Sequence, residues 1–139
     1  MRHTKAELYV HVIWATEGRC GLIKTPQRRP LYRCLEDQAA HLDCTVLAIG
    51  GMPDHVHMAL RMPTKLAVAK MMQHLKGISS KFATDQLALP LFRWQEGYGA
   101  FTLSRSHVDR VVAYVKQQEQ HHAGGTLWPE WEEVYEESV

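Results

Sequence analysis

Ten residues near the start of the chain, Glu7 to Thr16 (ELYVHVIWAT), constrain the fold most, because β-branched and aromatic side chains recur there with a period of two. Such a run is a strand, with Leu8, Val10, Val12 and Trp14 on one face and Tyr9, His11 and Ile13 on the other. Beyond it the hydrophobic period keeps switching. Thr25-Pro26 reads as the N-cap and first-turn proline of a helix to about Leu42, with Leu31, Leu35 and Leu42 on its buried side. Cys44 to Gly50 is a short apolar strand, Gly51 to Asp54 carries turn chemistry, and His55 to Arg61 returns as the second arm of a hairpin. Thr64 is placed to cap a long helix to about Leu87, in which Val68, Met71, Met72, Leu75, Ile78, Ser79 and Phe82 keep helical spacing. A loop carrying Trp94 leads to a last short strand, Ala100 to Leu103. Ser106-x-x-Asp109 has the form of a capping box ahead of a final helix to about His122, closed by Gly124-Gly125.

The order β-α-β-β-α-β-α predicts an α+β domain: a ferredoxin-like split βαβ antiparallel sheet with two helices on one face and one extra C-terminal helix. That domain is expected over residues 1–123, with an acidic tail over 124–139. The fold hosts many functions, so function must come from side chains.

Charge gives the first clue. The formal net charge is +1, yet residues 1–118 hold all 16 Lys and Arg against nine Asp and Glu, while residues 119–139 hold six Glu and no Lys or Arg. No acid occurs between His55 and Thr84, where Arg61, Lys65, Lys70, Lys76 and Lys81 all fall. This is either a solvated basic helix face or the contact surface for a polyanion. Lys76, Ser79 and Lys81 on the second long helix are the candidate phosphate contacts. Four Trp, five Tyr and three Phe exclude a disordered chain. No apolar run approaches the ~18 residues of a membrane helix, and no secretion signal is visible at Met1 to Glu7, so a cytoplasmic location without membrane contact is expected. Cys20, Cys34 and Cys44 form no C-x-x-C, which fits reduced thiols and excludes a zinc cage.

The chemistry centres on His55-Val56-His57. On a strand, residues i and i+2 share a face, so the two imidazoles stand side by side and can offer two cis ligands to a divalent metal. Taken alone, H-x-H on a strand is more often incidental or structural. On the last helix, Val108, Val111, Val112 and Val115 form the apolar stripe, and His107, Tyr114, Gln118 and His121 lie along one flank of it. Tyr114 and Gln118 are one turn apart. A single helical tyrosine is usually a boundary residue. Together, however, a histidine pair, a tyrosine with a polar ligand one turn on, and a basic body suit a metal-assisted phosphoryl transfer with Tyr114 as nucleophile. His55, His57 and Gln118 are the candidate metal ligands, with Glu119 and His121 as alternatives to Gln118.

Pro53-Asp-His-Val-His-Met58 together with Tyr114-Val-Lys-Gln-Gln118 resembles the single-tyrosine HUH transposases, specifically the IS200-like group that includes the REP-associated tyrosine transposases. Leu75-Lys-Gly-Ile-Ser-Ser-Lys-Phe82, Trp94-Gln-Glu-Gly-Tyr-Gly-Ala-Phe101 and Gln118-Glu-Gln-His-His122 are similar stretches, in the family's order. The resemblance spans roughly residues 7–122 and leaves the acidic tail unmatched. It implies a transposase that cuts and rejoins single-stranded DNA near stem-loops through a 5′-phosphotyrosine, using Mg²⁺ or Mn²⁺. It also implies a homodimer whose sites combine the His pair of one subunit with the Tyr helix of another. A replication-initiator-type nickase, or an inactive ferredoxin-like nucleic-acid-binding module, is the alternative. A two-histidine phosphoesterase is excluded, since no second H-x-[ST] motif is present.

Overall fold

The computed structural model describes residues 3–118. Four strands and three helices follow the expected order: β1 (Leu8–Ala15), α1 (Thr25–His41), β2 (Thr45–Met52), β3 (His55–Met62), α2 (Val68–Gln86), β4 (Gly99–Leu103) and α3 (Val108–Lys116). The sheet has strand order β2-β3-β1-β4, and every neighbouring pair is antiparallel. This is the α+β, ferredoxin-like arrangement that the periodicity predicts. It puts the histidine strand β3 and the first strand β1 at the centre of the sheet.

Side-chain alternation sends the two faces of these central strands into two separate cores. Val10, Val12, Trp14, Val56, Met58 and Leu60 pack with Leu31 and Leu35 of α1 and Met71, Met72 and Leu75 of α2. Each such fully buried aliphatic side chain contributes roughly 1.5–3 kcal/mol. On the opposite face Ala48 and Ala59 meet Val111 and Val115 of α3. Strand β2 serves both cores through a bulge. Its register slips between Val46 and Ala48, so Leu47 and Ala48 both reach the α3 side while Val46 and Ile49 reach the other.

Element starts differ from expectation in three places, each for a local reason. Helix α2 begins at Val68 rather than just after Thr64, because Leu66 N–H closes a turn on the Pro63 carbonyl and Lys65 reaches across to Asp43 at 2.7 Å. Thr25 lies inside α1, whose N-cap is the extended Lys24. The capping box at Ser106 does not form: residues 105–107 make a 3₁₀ turn, and Ser104 Oγ contacts His107 Nδ1 at 2.6 Å. The expected end of the last helix at His122, its Gly124-Gly125 stop and the acidic tail lie outside the described residues.

Candidate active site

Strand β3 carries His55 and His57 on the face covered by α3, and both are fully buried. Their rings lie 5.1 Å apart, as i and i+2 positions on one pleat require. Above them α3 brings Tyr114, 2% exposed, edge-on to His57 with ring centroids 5.9 Å apart. One turn further on, Gln118 Oε1 sits 3.4 Å from His55 Nε2. The amide is oriented, because Gln118 Nε2 donates to the Tyr114 carbonyl at 3.2 Å. One chain thus brings together all four residues singled out from the sequence, with the Tyr helix over the His pair of its own subunit. His107 is not part of this group; it is exposed and held by Ser104. Glu119 and His121 lie outside the described residues.

Two further residues complete the geometry, and local spacing did not reveal either role. Asp54, in the tight turn before β3, accepts from His55 Nδ1 at 2.7 Å and from Arg19 Nε at 3.2 Å. Burial alone would raise the Asp54 carboxyl; the His55 hydrogen bond and charge, joined by Arg19, outweigh it and hold the pKa down to about 2. Arg19 reaches Asp54 from a turn with φ of 53°, a left-handed conformation uncommon for a side-chain-bearing residue. The second residue is His11 of β1, fully buried, whose Nε2 lies 2.8 Å from His57 Nδ1.

His55 Nε2 and Gln118 Oε1 are the atoms of this pair that could hold a cation. With His55 neutral and its proton on Nδ1, facing Asp54, Nε2 presents a lone pair beside the oxygen of Gln118, and two acceptors then face each other in a way that suits a cation between them; with His55 protonated, Nε2 donates to that oxygen instead. Among the described residues no group of three His, Cys, Asp or Glu side chains forms a metal cage. His55, His57 and Gln118 could instead offer two imidazoles and an amide oxygen to a cation.

The lysine and serine candidates on α2 separate by burial. Ser79 is fully buried and cannot meet a phosphate; it receives a hydrogen bond from Trp94 Nε1 at 2.9 Å. Lys76 donates to the carbonyls of Gln95 and Gly97 at 2.7 and 3.0 Å, and burial lowers its pKa against the raising effect of Glu96. Both side chains hold the loop before β4, which leaves the Ser79 hydroxyl without surface exposure and two of the three Lys76 donors engaged. Lys81 stays exposed. A basic surface appears elsewhere. A cavity of about 240 Å³ lies beside Gln118, lined by Arg28, Tyr32, Gly50, Gly51 and Lys116. Arg28 and Tyr32 also line a groove of about 580 Å³ along α1, with Arg29 and Arg33. Arg28 and Tyr32 line both, so the α1 groove adjoins the cavity beside Gln118.

Residues 4–118 match the model of a family described as transposase, IS200 like. The chain is 26% identical over 124 residues to the transposase for insertion sequence element IS200 of Salmonella typhimurium, covering 85% of this chain and 81% of that one. It is 28% identical over 118 residues to the ISDra2 transposase TnpA of Deinococcus radiodurans, covering 81% and 84% of the two chains. Among solved structures it is similar to a Deinococcus radiodurans protein assigned as a transposase, with a TM-score of 0.66, 25% identity, and 85% and 95% of the two chains covered. A REP-associated tyrosine transposase bound to a REP hairpin shares the fold at a TM-score of 0.65 and 14% identity, over 93% of this chain and 79% of that one.

Proposed function

The chain belongs to the IS200-like transposase family, and from that membership we propose that it cleaves and rejoins single-stranded DNA at hairpin-containing ends through a 5′-phosphotyrosine on Tyr114. The observation that carries this reading is the seating of Tyr114 and Gln118, one turn apart on α3, over the buried His55–His57 pair. In cleavage the Tyr114 phenol gives up its proton and its oxygen bonds to phosphorus. The bond from phosphorus to the 3′ oxygen breaks, and that oxygen takes up a proton as a 3′-hydroxyl. Rejoining reverses the exchange: a 3′-hydroxyl attacks the phosphotyrosine and the phenol is restored.

His55, His57 and Gln118 would hold the divalent cation. Mg²⁺ or Mn²⁺ bound there supplies Lewis-acid polarisation of the scissile phosphate. Asp54 fixes the His55 ring and tautomer, as carboxylates do behind ligating histidines. The single strand runs along the α1 groove, where Arg29 and Arg33 neutralise phosphates, and reaches the site through the adjoining cavity beside Gln118. Lys81 is the one phosphate contact on α2 retained from the sequence. The His pair and the Tyr helix meet within one chain, which supports a site assembled in a single subunit.

The test is covalent attachment. Tyr114→Phe keeps the ring packing and removes the nucleophile, so an end-labelled stem-loop strand should give no covalent band on a denaturing gel. An undiminished band in that variant rejects Tyr114.

A further inference from the structure

His11 has no part in the reading above, yet it is fully buried within the site. It lies on the central strand β1, opposite Ala59 and diagonal to His57, which pairs with Ile13. The small Ala59 leaves room for the two imidazoles to lie edge to edge, with ring centroids 5.0 Å apart and planes inclined by 24°. Their edges meet at 2.8 Å between His11 Nε2 and His57 Nδ1. With both rings neutral, one proton occupies that contact. If His11 donates it, His57 keeps its own proton on Nε2 and has no lone pair there for a cation. If His57 donates it, Nε2 becomes a ligand.

The neighbouring ring shows which pattern the site uses. His55 turns Nδ1 to an outer acceptor, Asp54, and Nε2 inward to Gln118. His57 likewise turns Nδ1 to an outer partner. We propose that His11 is a positioning residue that accepts the Nδ1 proton of His57 and so presents His57 Nε2 to the divalent cation. The proposal rests on the metal assignment made above and extends it to an outer partner for the second histidine. The two outer partners differ in kind, an anionic carboxylate for His55 and a neutral imidazole for His57. Outer partners of this sort govern metal affinity by 10–100-fold.

Nitrogen NMR of the imidazoles in the metal-free wild-type chain reads the tautomer directly, and His57 should carry its proton on Nδ1. A proton on Nε2 instead overturns the proposal. Mn²⁺ binding followed by electron paramagnetic resonance supplies the second readout. His11→Phe keeps a buried ring and removes the acceptor, so affinity should fall by about 10–100-fold. His11→Gln returns an acceptor oxygen near the position of Nε2 and should recover most of the loss, which a purely packing role for His11 would not predict. Wild-type binding that His11→Phe leaves unchanged overturns this proposal alone. A wild-type chain that binds no Mn²⁺ overturns the metal assignment and this proposal with it. Should His11→Phe fail to fold, the wild-type tautomer decides.

Discussion

Gly50 of β2 lies directly beneath the backbone of α3, so close to Val115 that a β-carbon at Gly50 would overlap the Val115 carbonyl oxygen. The helix that carries Tyr114 and Gln118 therefore rests backbone on backbone against the sheet. This close approach brings the Gln118 amide to His55.

Gly50→Ala should lift the end of α3 while leaving His55, His57, Tyr114 and Gln118 all present. A displacement of the order of 1 Å in a catalytic group costs about 100-fold in rate. We expect strand cleavage to fall by about that factor in single-turnover assays, with the fold retained by circular dichroism. Full activity in Gly50→Ala would show that the seating of α3 on β2 does not matter to the reaction.

Asp54→Asn tests the carboxylate behind His55. The variant leaves an acceptor beside Nδ1 but removes the charge that Asp54 holds between His55 and Arg19. Mn²⁺ affinity measured by calorimetry should drop by about 10–100-fold. Chelation with EDTA should abolish cleavage in the wild type. An Asp54→Asn chain with unchanged affinity would remove His55 from the ligand set.

How much of this site could be read from the sequence depended on the range of each relationship. His55 and His57 share a face because a strand has period two, and Tyr114 and Gln118 share one because a helix turn spans about four residues. Both are local facts. That the two pairs should meet required the family resemblance as well. The contact of His11 with His57 depends instead on β1–β3 register across 46 residues of chain, which no local period specifies. The engagement of Lys76 and Ser79 with a distant loop was hidden for the same reason. Their spacing on α2 was right, but the loop that returns from α2 to β4 brings Trp94, Gln95 and Gly97 onto them. Helix starts were misread where a tertiary contact, such as Lys65 with Asp43, competed with a capping signal.

Gly77 offers a control separate from the chemistry. It sits inside α2, and a β-carbon there would meet nothing within 4 Å. Gly77→Ala should therefore raise unfolding stability by about 1 kcal/mol through helix propensity alone. Denaturant titration reads the gain, and cleavage should not change. Lost stability would show that the position has a packing role that the structure does not contain.

The path of the DNA strand separates Arg29 and Arg33 from Lys76. Both arginines are exposed on α1 along the groove that adjoins the cavity beside Gln118, whereas the Lys76 ammonium already holds two carbonyls. Each phosphate neutralised on a single strand adds about −0.7 to the slope of log K against log salt. Replacing Arg29 and Arg33 together by Ala should therefore flatten the slope by about 1.4, as read by fluorescence anisotropy of a labelled stem-loop strand. Lys76→Met should leave the slope unchanged. It should instead lower stability by roughly 1–3 kcal/mol, since two loop carbonyls lose their donor. The opposite pattern, a flattened slope in Lys76→Met and none in the double arginine variant, would move the DNA from the α1 groove to the face of α2.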